Sequence, residues 1–237
     1  MRMMEKRKEK TLLRRTRASA LRTLGLMALG ATSLASVAGA SVPTDPGEVE
    51  PLPEGAEVPE VVVRDGSGRK VPLAEILAGK PTLLVFYRGG WCPYCNRQLQ
   101  GLKDIEPELL DLGVRIVGIS PDRPGKLKTV DGPPLPYRLF SDASMEATTA
   151  FGIAYRVSDS TYGKLRSAGI DIEEASGREH RLLPVPAVFL VDHSGRIAFR
   201  SFNPDYTVRI APDELLQQAR KLFPKATARP QTPPDFR

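Results

Sequence analysis

The 237-residue sequence is poor in the residues that most often announce a site: two cysteines, two histidines, one tryptophan, and aromatics at only 6%. Two cysteines exclude a scaffold built on several disulfides. Two histidines, His180 and His193, do not have zinc-finger spacing with the cysteines, so neither a metal nor any other cofactor is expected. The few aromatics argue against a surface on which bases stack. Beyond residue 40 no apolar run is long enough to cross a membrane, and no internal repeat or low-complexity stretch points to a fibrous protein. What remains is ordinary globular composition, 41% hydrophobic and 26% charged, in a chain long enough to bury a real core.

The formal charge of +6 is unevenly spread. Residues 1–40 carry nine of the 34 basic residues and two of the 28 acids, which leaves 25 basic against 26 acidic residues in 41–237. The body therefore has no electrostatic case for nucleic acid. The charged N-terminus ends at Arg22, and eighteen uncharged residues rich in Leu, Ala and Gly follow, closing on Ala38-Gly39-Ala40. This pattern predicts a signal peptide over 1–40, cleaved after a small-residue site, and an exported, periplasmic or extracytoplasmic protein. The alternative is an uncleaved membrane anchor.

Residues 41–59 hold five prolines and five acids and read as an extended, solvated linker. The stretch 224–237 reads as a flexible tail. The folded body is expected over 60–223. In it, 61–63 is a short strand and 73–78 a short helix, and the apolar run 82–87 is a buried central strand. The apolar spacing of Leu99, Leu102, Ile105 and Leu109 predicts a helix over 93–112, which Pro107 should kink or interrupt. Further strands are expected at 114–119 and around Leu139-Phe140, a helix at 144–151, a hairpin at 187–191 and 196–202, and a last helix from Pro212 to Phe223. This order is α/β.

Both cysteines fall in Trp91-Cys92-Pro93-Tyr94-Cys95, just after the predicted central strand and at the start of the predicted helix. Unpaired N–H groups and the positive dipole end of a helix stabilise a thiolate there. Pro93 suits the first helical position. Cys92 then sits near the N-cap with the more exposed sulfur and the lower pKa, and Cys95 lies one turn inside. A redox-active thiol pair is the leading reading. A static disulfide would close a loop too small to add much stability.

Trp91-Cys92-Pro93-Tyr94-Cys95 resembles a thioredoxin-fold active site, and Val185-Pro186-Ala187 resembles the cis-proline strand of that fold. The longer stretches FYRGGWCPYCNRQL (86–99), VGISPD (117–122) and LPVPAVFLVDHSGRI (183–197), with Asn203-Pro204-Asp205-Tyr206, resemble bacterial peroxiredoxin-like proteins of the alkyl hydroperoxide reductase/thiol-specific antioxidant family over roughly 60–223. The resemblance implies a thioredoxin-like fold, with a central mixed β-sheet flanked by helices, and a thiol-dependent antioxidant oxidoreductase. It also implies catalytic Cys92 and Cys95, and substrate contacts from Trp91, Tyr94, Val185 and Pro186. A cis Pro186 would leave Val185 with free backbone groups facing the sulfurs. Trp91 is expected to shield the thiol pair.

The chain departs from the common peroxiredoxin pattern. The peroxidatic position falls on Cys95, the usual proline is Arg88, the usual threonine is Cys92, and the distant arginine falls at or near Pro186. Arg88 is either a positive charge near the thiolates or a solvated arginine after a strand. Three functions stay open: peroxide reduction, with Cys95 as the attacking sulfur; exchange with protein disulfides, with Cys92 attacking first; and a redox-inert interaction module at the groove near Pro186. The expected partner is a thiol electron donor, either thioredoxin-like or a membrane reductase. A membrane enters otherwise only if the N-terminal segment stays uncleaved.

Overall fold

The computed structural model describes residues 42–127 and 132–224. The expected signal segment 1–40 and nearly all of the expected tail lie outside the described residues.

Strand β3 (Thr82–Phe86) is buried along its whole length, as an uninterrupted apolar run requires. It pairs in parallel with β4 (Arg115–Ser120) and antiparallel with β8 (Ala187–Val191). Around this centre a seven-stranded mixed sheet forms. β5 (Arg138–Ser141), β1 (Val62–Arg64) and β2 (Lys70–Pro72) extend it on one side, and β9 (Ile197–Phe202) closes the other. Side chains alternate across a strand. Leu84 and Phe86 therefore join one apolar layer with Phe151 and Phe189. Leu83, Val85 and Tyr87 join the other, against α2 (Pro93–Asp111) and α6 (Pro212–Leu222). The helices α1 (Leu73–Leu77) and α3 (Glu146–Ala150) pack on the first layer.

Two expectations need correction, and one stretch adds elements that had no counterpart in the sequence reading. Pro107 neither stops nor divides α2, which runs unbroken to Asp111. Pro107 lies on the exposed face, while burial of Leu102, Ile105 and Leu109 fixes the helix to the sheet on both sides of it. Apolar burial of this kind offsets the roughly 3 kcal/mol helix cost of proline.

Residues 42–59 are not a solvated linker. Gly55 and Val58 donate to Ile197 and Gly195 carbonyls at 2.8 and 2.9 Å, Ile197 donates back to Ala56 at 2.9 Å, and Leu52 donates to Phe151 at 3.1 Å. None of the five prolines occupies one of these donor positions, so the segment still pairs with residues 195–197 and with Phe151. The folded body therefore begins before residue 60.

Between α3 and β8 the chain forms elements that the sequence pattern did not reveal. β6 (Ala154–Arg156) and β7 (Leu182–Pro184) pair as a separate two-stranded sheet. They flank α4 (Asp159–Ser167), capped by Ser158, and α5 (Ile172–Ser176), capped by Asp171.

Candidate active site

The chain leaves β3 at Tyr87, crosses Arg88-Gly89-Gly90-Trp91, and enters α2 at Pro93, with Cys92 as the N-cap. This crossing is tightly held. Gly90 N–H donates to Asp122 Oδ2 at 2.7 Å, Asn96 Nδ2 donates to the Gly90 carbonyl at 2.9 Å, and Cys92 N–H donates to the Gly89 carbonyl at 3.1 Å. Gly89 has φ +147°, and a Cβ there would lie 2.3 Å from Trp91 Nε1 and 2.8 Å from Asp122 Oδ1. Only glycine fits this approach. Asp122 belongs to the VGISPD stretch at the end of β4. Burial pushes its carboxyl up to about 6.

Both cysteines are free thiols, and both are buried, Cys92 at 1% exposure and Cys95 at 0%. Cys92 is thus not the open sulfur that its helix-end position suggested. It is nevertheless the more acidic thiol. A hydrogen bond from the Cys95 thiol, against the cost of burial, brings Cys92 down to about 6, helped by the Cys95 N–H and by the charges of Arg88 and Arg209. Burial, and then the hydrogen bond and charge of Cys92, push Cys95 well above the usual thiol range. Cys92 is therefore mostly thiolate at neutral pH and Cys95 mostly thiol.

A roof covers the pair. Arg88 is only 4% exposed, so it is not a solvated arginine. Its guanidinium lies 5.0 Å from the Trp91 ring centre and 4.1 Å from that of Tyr206, and its charge acts on the buried Tyr155 hydroxyl. Tyr206 meets Tyr94 edge-on at 5.9 Å, and Arg97 lies 5.7 Å from the Tyr94 ring. Trp91 is half-buried against the apolar clusters of both α2 and β7. Arg209 places Nη2 3.6 Å from Cys95 Sγ. Trp91 and Tyr94 pack against the apolar cluster that contains both thiols. Arg209, Tyr155 and Asp122 are additions that local sequence did not identify.

Val185 and Pro186 do not form the expected groove. No peptide bond among the described residues is cis, so Val185–Pro186 is trans. The Val185 N–H already donates to the Ile153 carbonyl at 2.8 Å, and its side chain is fully buried. The pairing of β6 with β7 thus consumes the backbone donor that an added substrate strand would need. Pro186 instead lines a cavity of about 200 Å³ with Gln98, Val188, Phe202 and Arg209. Among the described residues no group of three His, Cys, Asp or Glu side chains is placed to hold a metal ion. No helix among them is long and apolar enough to cross a membrane.

A thiolate and a thiol one helical turn apart, at the end of a central strand, belong to the dithiol oxidoreductases of thioredoxin-like fold. The family comparison narrows this further: the AhpC/TSA family model matches residues 55–200, so the chain belongs to that family and is a thiol-dependent antioxidant oxidoreductase. A Mycobacterium tuberculosis protein named as a peroxiredoxin, Rv2521, is 29% identical over 161 residues, covering 68% of this chain and 91% of that one. Peroxiredoxin Bcp of Escherichia coli is 33% identical over 106 residues, 44% of this chain and 67% of its own length. Among solved structures, the peroxidoxin BcpB of Mycobacterium tuberculosis aligns with TM-score 0.55 and 20% identity over 71% of this chain and 97% of its own, a likeness of fold.

Proposed function

We propose that this protein reduces hydroperoxides, with Cys92 as the attacking thiolate and Cys95 as the thiol that closes the disulfide. The supporting observation is the buried acidic Cys92 beneath the Arg88–Tyr206–Trp91 roof. A small oxidant can approach such a sulfur, whereas a protein disulfide needs an open groove. In the first step Cys92 attacks the distal peroxide oxygen. The O–O bond breaks, the sulfur is oxidised to sulfenic acid, and the remaining oxygen takes a proton and leaves as alcohol or water. Cys95 then loses its proton and attacks the Cys92 sulfur; the S–S bond forms and the hydroxyl leaves as water. The family pattern places the peroxidatic position on Cys95, and the helix-end geometry favours Cys92.

An external dithiol, thioredoxin-like or a membrane reductase, returns two electrons to the disulfide. The composition of residues 1–40 supports reading this as an exported, extracytoplasmic protein, where such a reductant is needed because the compartment is oxidising. The second reading, exchange with protein disulfides, is favoured by the Cys-x-x-Cys spacing and the N-cap thiolate, and the paired Val185 N–H weighs against it. Rapid mixing of reduced protein with hydrogen peroxide, with an organic hydroperoxide and with a protein disulfide separates the two. Thiol loss faster with a hydroperoxide supports the proposal. Loss only with the disulfide overturns it.

A further inference from the structure

Arg209 stands outside the residues 55–200 that the family model matches, and 114 positions along the chain from the sulfur it meets. Nothing in its contacts is loose. Its Nε donates to Gln98 Oε1 at 2.9 Å, and its Nη1 donates to the Tyr206 and Val208 carbonyls at 2.6 and 2.7 Å. The loop that carries it is stapled to itself. Asp205 N–H donates to Asn203 Oδ1 at 2.9 Å, and Asp205 Oδ1 accepts from Thr207 N–H and Oγ1 at 2.9 and 2.7 Å. Gln98 lies one turn beyond Cys95 on α2. The guanidinium is thus fixed from both sides with Nη2 aimed at Cys95 Sγ, 3.6 Å away. Pro186 lines the same cavity as Gln98 and Arg209.

We propose that Arg209 is a catalytic residue of this site, whose guanidinium holds the Cys95 sulfur as a thiolate for the disulfide-forming step. The assignment of that step rests on the hydroperoxide reading above, but the charge effect does not. Cys95 is fully buried and has to give up a proton before it can attack the oxidised Cys92. A buried anion without a counter-charge is strongly disfavoured. Arg209 is the cation in contact with that sulfur, and its charge opposes the effect of burial. The electrons and atoms are those of the second step already written: the Cys95–H bond breaks, S–S forms, and the Cys92 S–O bond breaks with water leaving. Arg209 gives up no proton in it, since a guanidinium stays charged throughout.

The test is a thiolate titration by ultraviolet absorbance, in which no peroxide is present. In a Cys92→Ser background the only thiol is Cys95. Adding Arg209→Met is expected to raise its midpoint by roughly 1–2 units, the usual effect of an opposite charge at this range. Arg209→Lys should raise it less. An unchanged midpoint in the Met variant overturns the proposal. If the Met variant fails to fold, Gln98→Leu keeps the charge but removes its anchor; a smaller rise is expected, and no rise overturns the proposal. A second readout keeps Cys92. After one equivalent of an organic hydroperoxide, Arg209→Met should raise the ratio of dimedone-trapped sulfenic acid to disulfide, roughly three- to fourfold for each unit of midpoint shift, since the smaller thiolate fraction is partly offset by greater nucleophilicity. An unchanged ratio would show Arg209 to be only a brace for the roof. A failed hydroperoxide reaction with a shifted midpoint would sink the substrate reading and leave the charge assignment standing.

Discussion

The two faces of the central sheet are equally dry and do opposite work. On one, Phe86 meets Phe151 and Phe189 with ring centres 4.8 and 5.9 Å apart, and the buried carboxyl of Asp142 is taken up by the Ala147 and Thr148 N–H groups at the start of α3. On the other, Tyr87, Cys92, Cys95 and Tyr137 lie among Leu, Ile and Val, with Asp122 beneath the active-site crossing and two guanidinium groups at the sulfurs. An aromatic core secures the first face; burial on the other helps turn ordinary thiols into an unequal pair. Burial alone would raise both pKa values. The difference arises because the hydrogen bond from Cys95 lowers Cys92 against the cost of burial, while Cys95 is raised first by burial and then by that same bond.

The largest effect that sharpens this contrast is loss of chemistry without loss of fold. Cys92→Ser is expected to abolish hydroperoxide consumption, with a fall of at least 10³-fold in the rate of the first step and little change in thermal midpoint. Stopped-flow thiol loss and a melting curve together check it. On the opposite face Phe189→Ala should cost about 3–5 kcal/mol of stability, the usual range for a buried phenylalanine. It should leave the Cys92 midpoint in place. Denaturant unfolding beside alkylation kinetics measures both, and a large shift in thiol acidity would show that the two faces are not separable.

Asp122 has a smaller and pH-dependent effect. Its carboxyl is raised from 3.8 to about 6 in the folded protein, so the native state binds the proton more tightly than the unfolded chain. Its contribution to stability is fully present below about pH 4 and is lost as pH rises through 6. Asp122→Asn keeps an acceptor for Gly90 N–H and removes the charge. The variant should therefore gain on the order of 1–3 kcal/mol relative to wild type between pH 5 and 7. Unfolding curves at pH 4 and 7 test the sign; an equal difference at both would contradict it. The smallest expected change is in Trp91→Phe, which keeps an aromatic neighbour for Arg88 and should alter the rate of the first step by less than about tenfold, consistent with the modest energy of a cation–π contact.

The elements that position the thiols were legible in sequence because each is marked by its own residues: the apolar run of β3, Pro93 at the start of α2, the 187–202 hairpin, and Pro212 opening α6. The placement of Cys92 at the N-cap of α2, with Cys95 one turn inside, followed from the same local signals. What could not be read depends on distant partners. Residues 42–59 look solvated when counted by proline and acid, and only their distant acceptors at Phe151, Gly195 and Ile197 reveal the few N–H groups that pair. Val185 looks free until Ile153 takes its donor. Arg88 follows a strand and could have faced water, but Tyr155, Trp91 and Tyr206 enclose it. Arg209 has no local mark at all, since a long loop delivers it to Cys95. Pro107 misled for the opposite reason: a local penalty was outweighed by apolar contacts on either side.

The central claim is that Cys92 carries the thiolate and Cys95 the proton. Limited alkylation of the reduced wild-type protein from pH 4.5 to 9, with each adduct mapped by mass spectrometry, tests it most directly. The expected result is modification of Cys92 first at every pH, with a midpoint near 6, and of Cys95 only at the alkaline end. Faster modification of Cys95, or a Cys92 midpoint at or above the ordinary thiol value of about 8.5, would contradict the account.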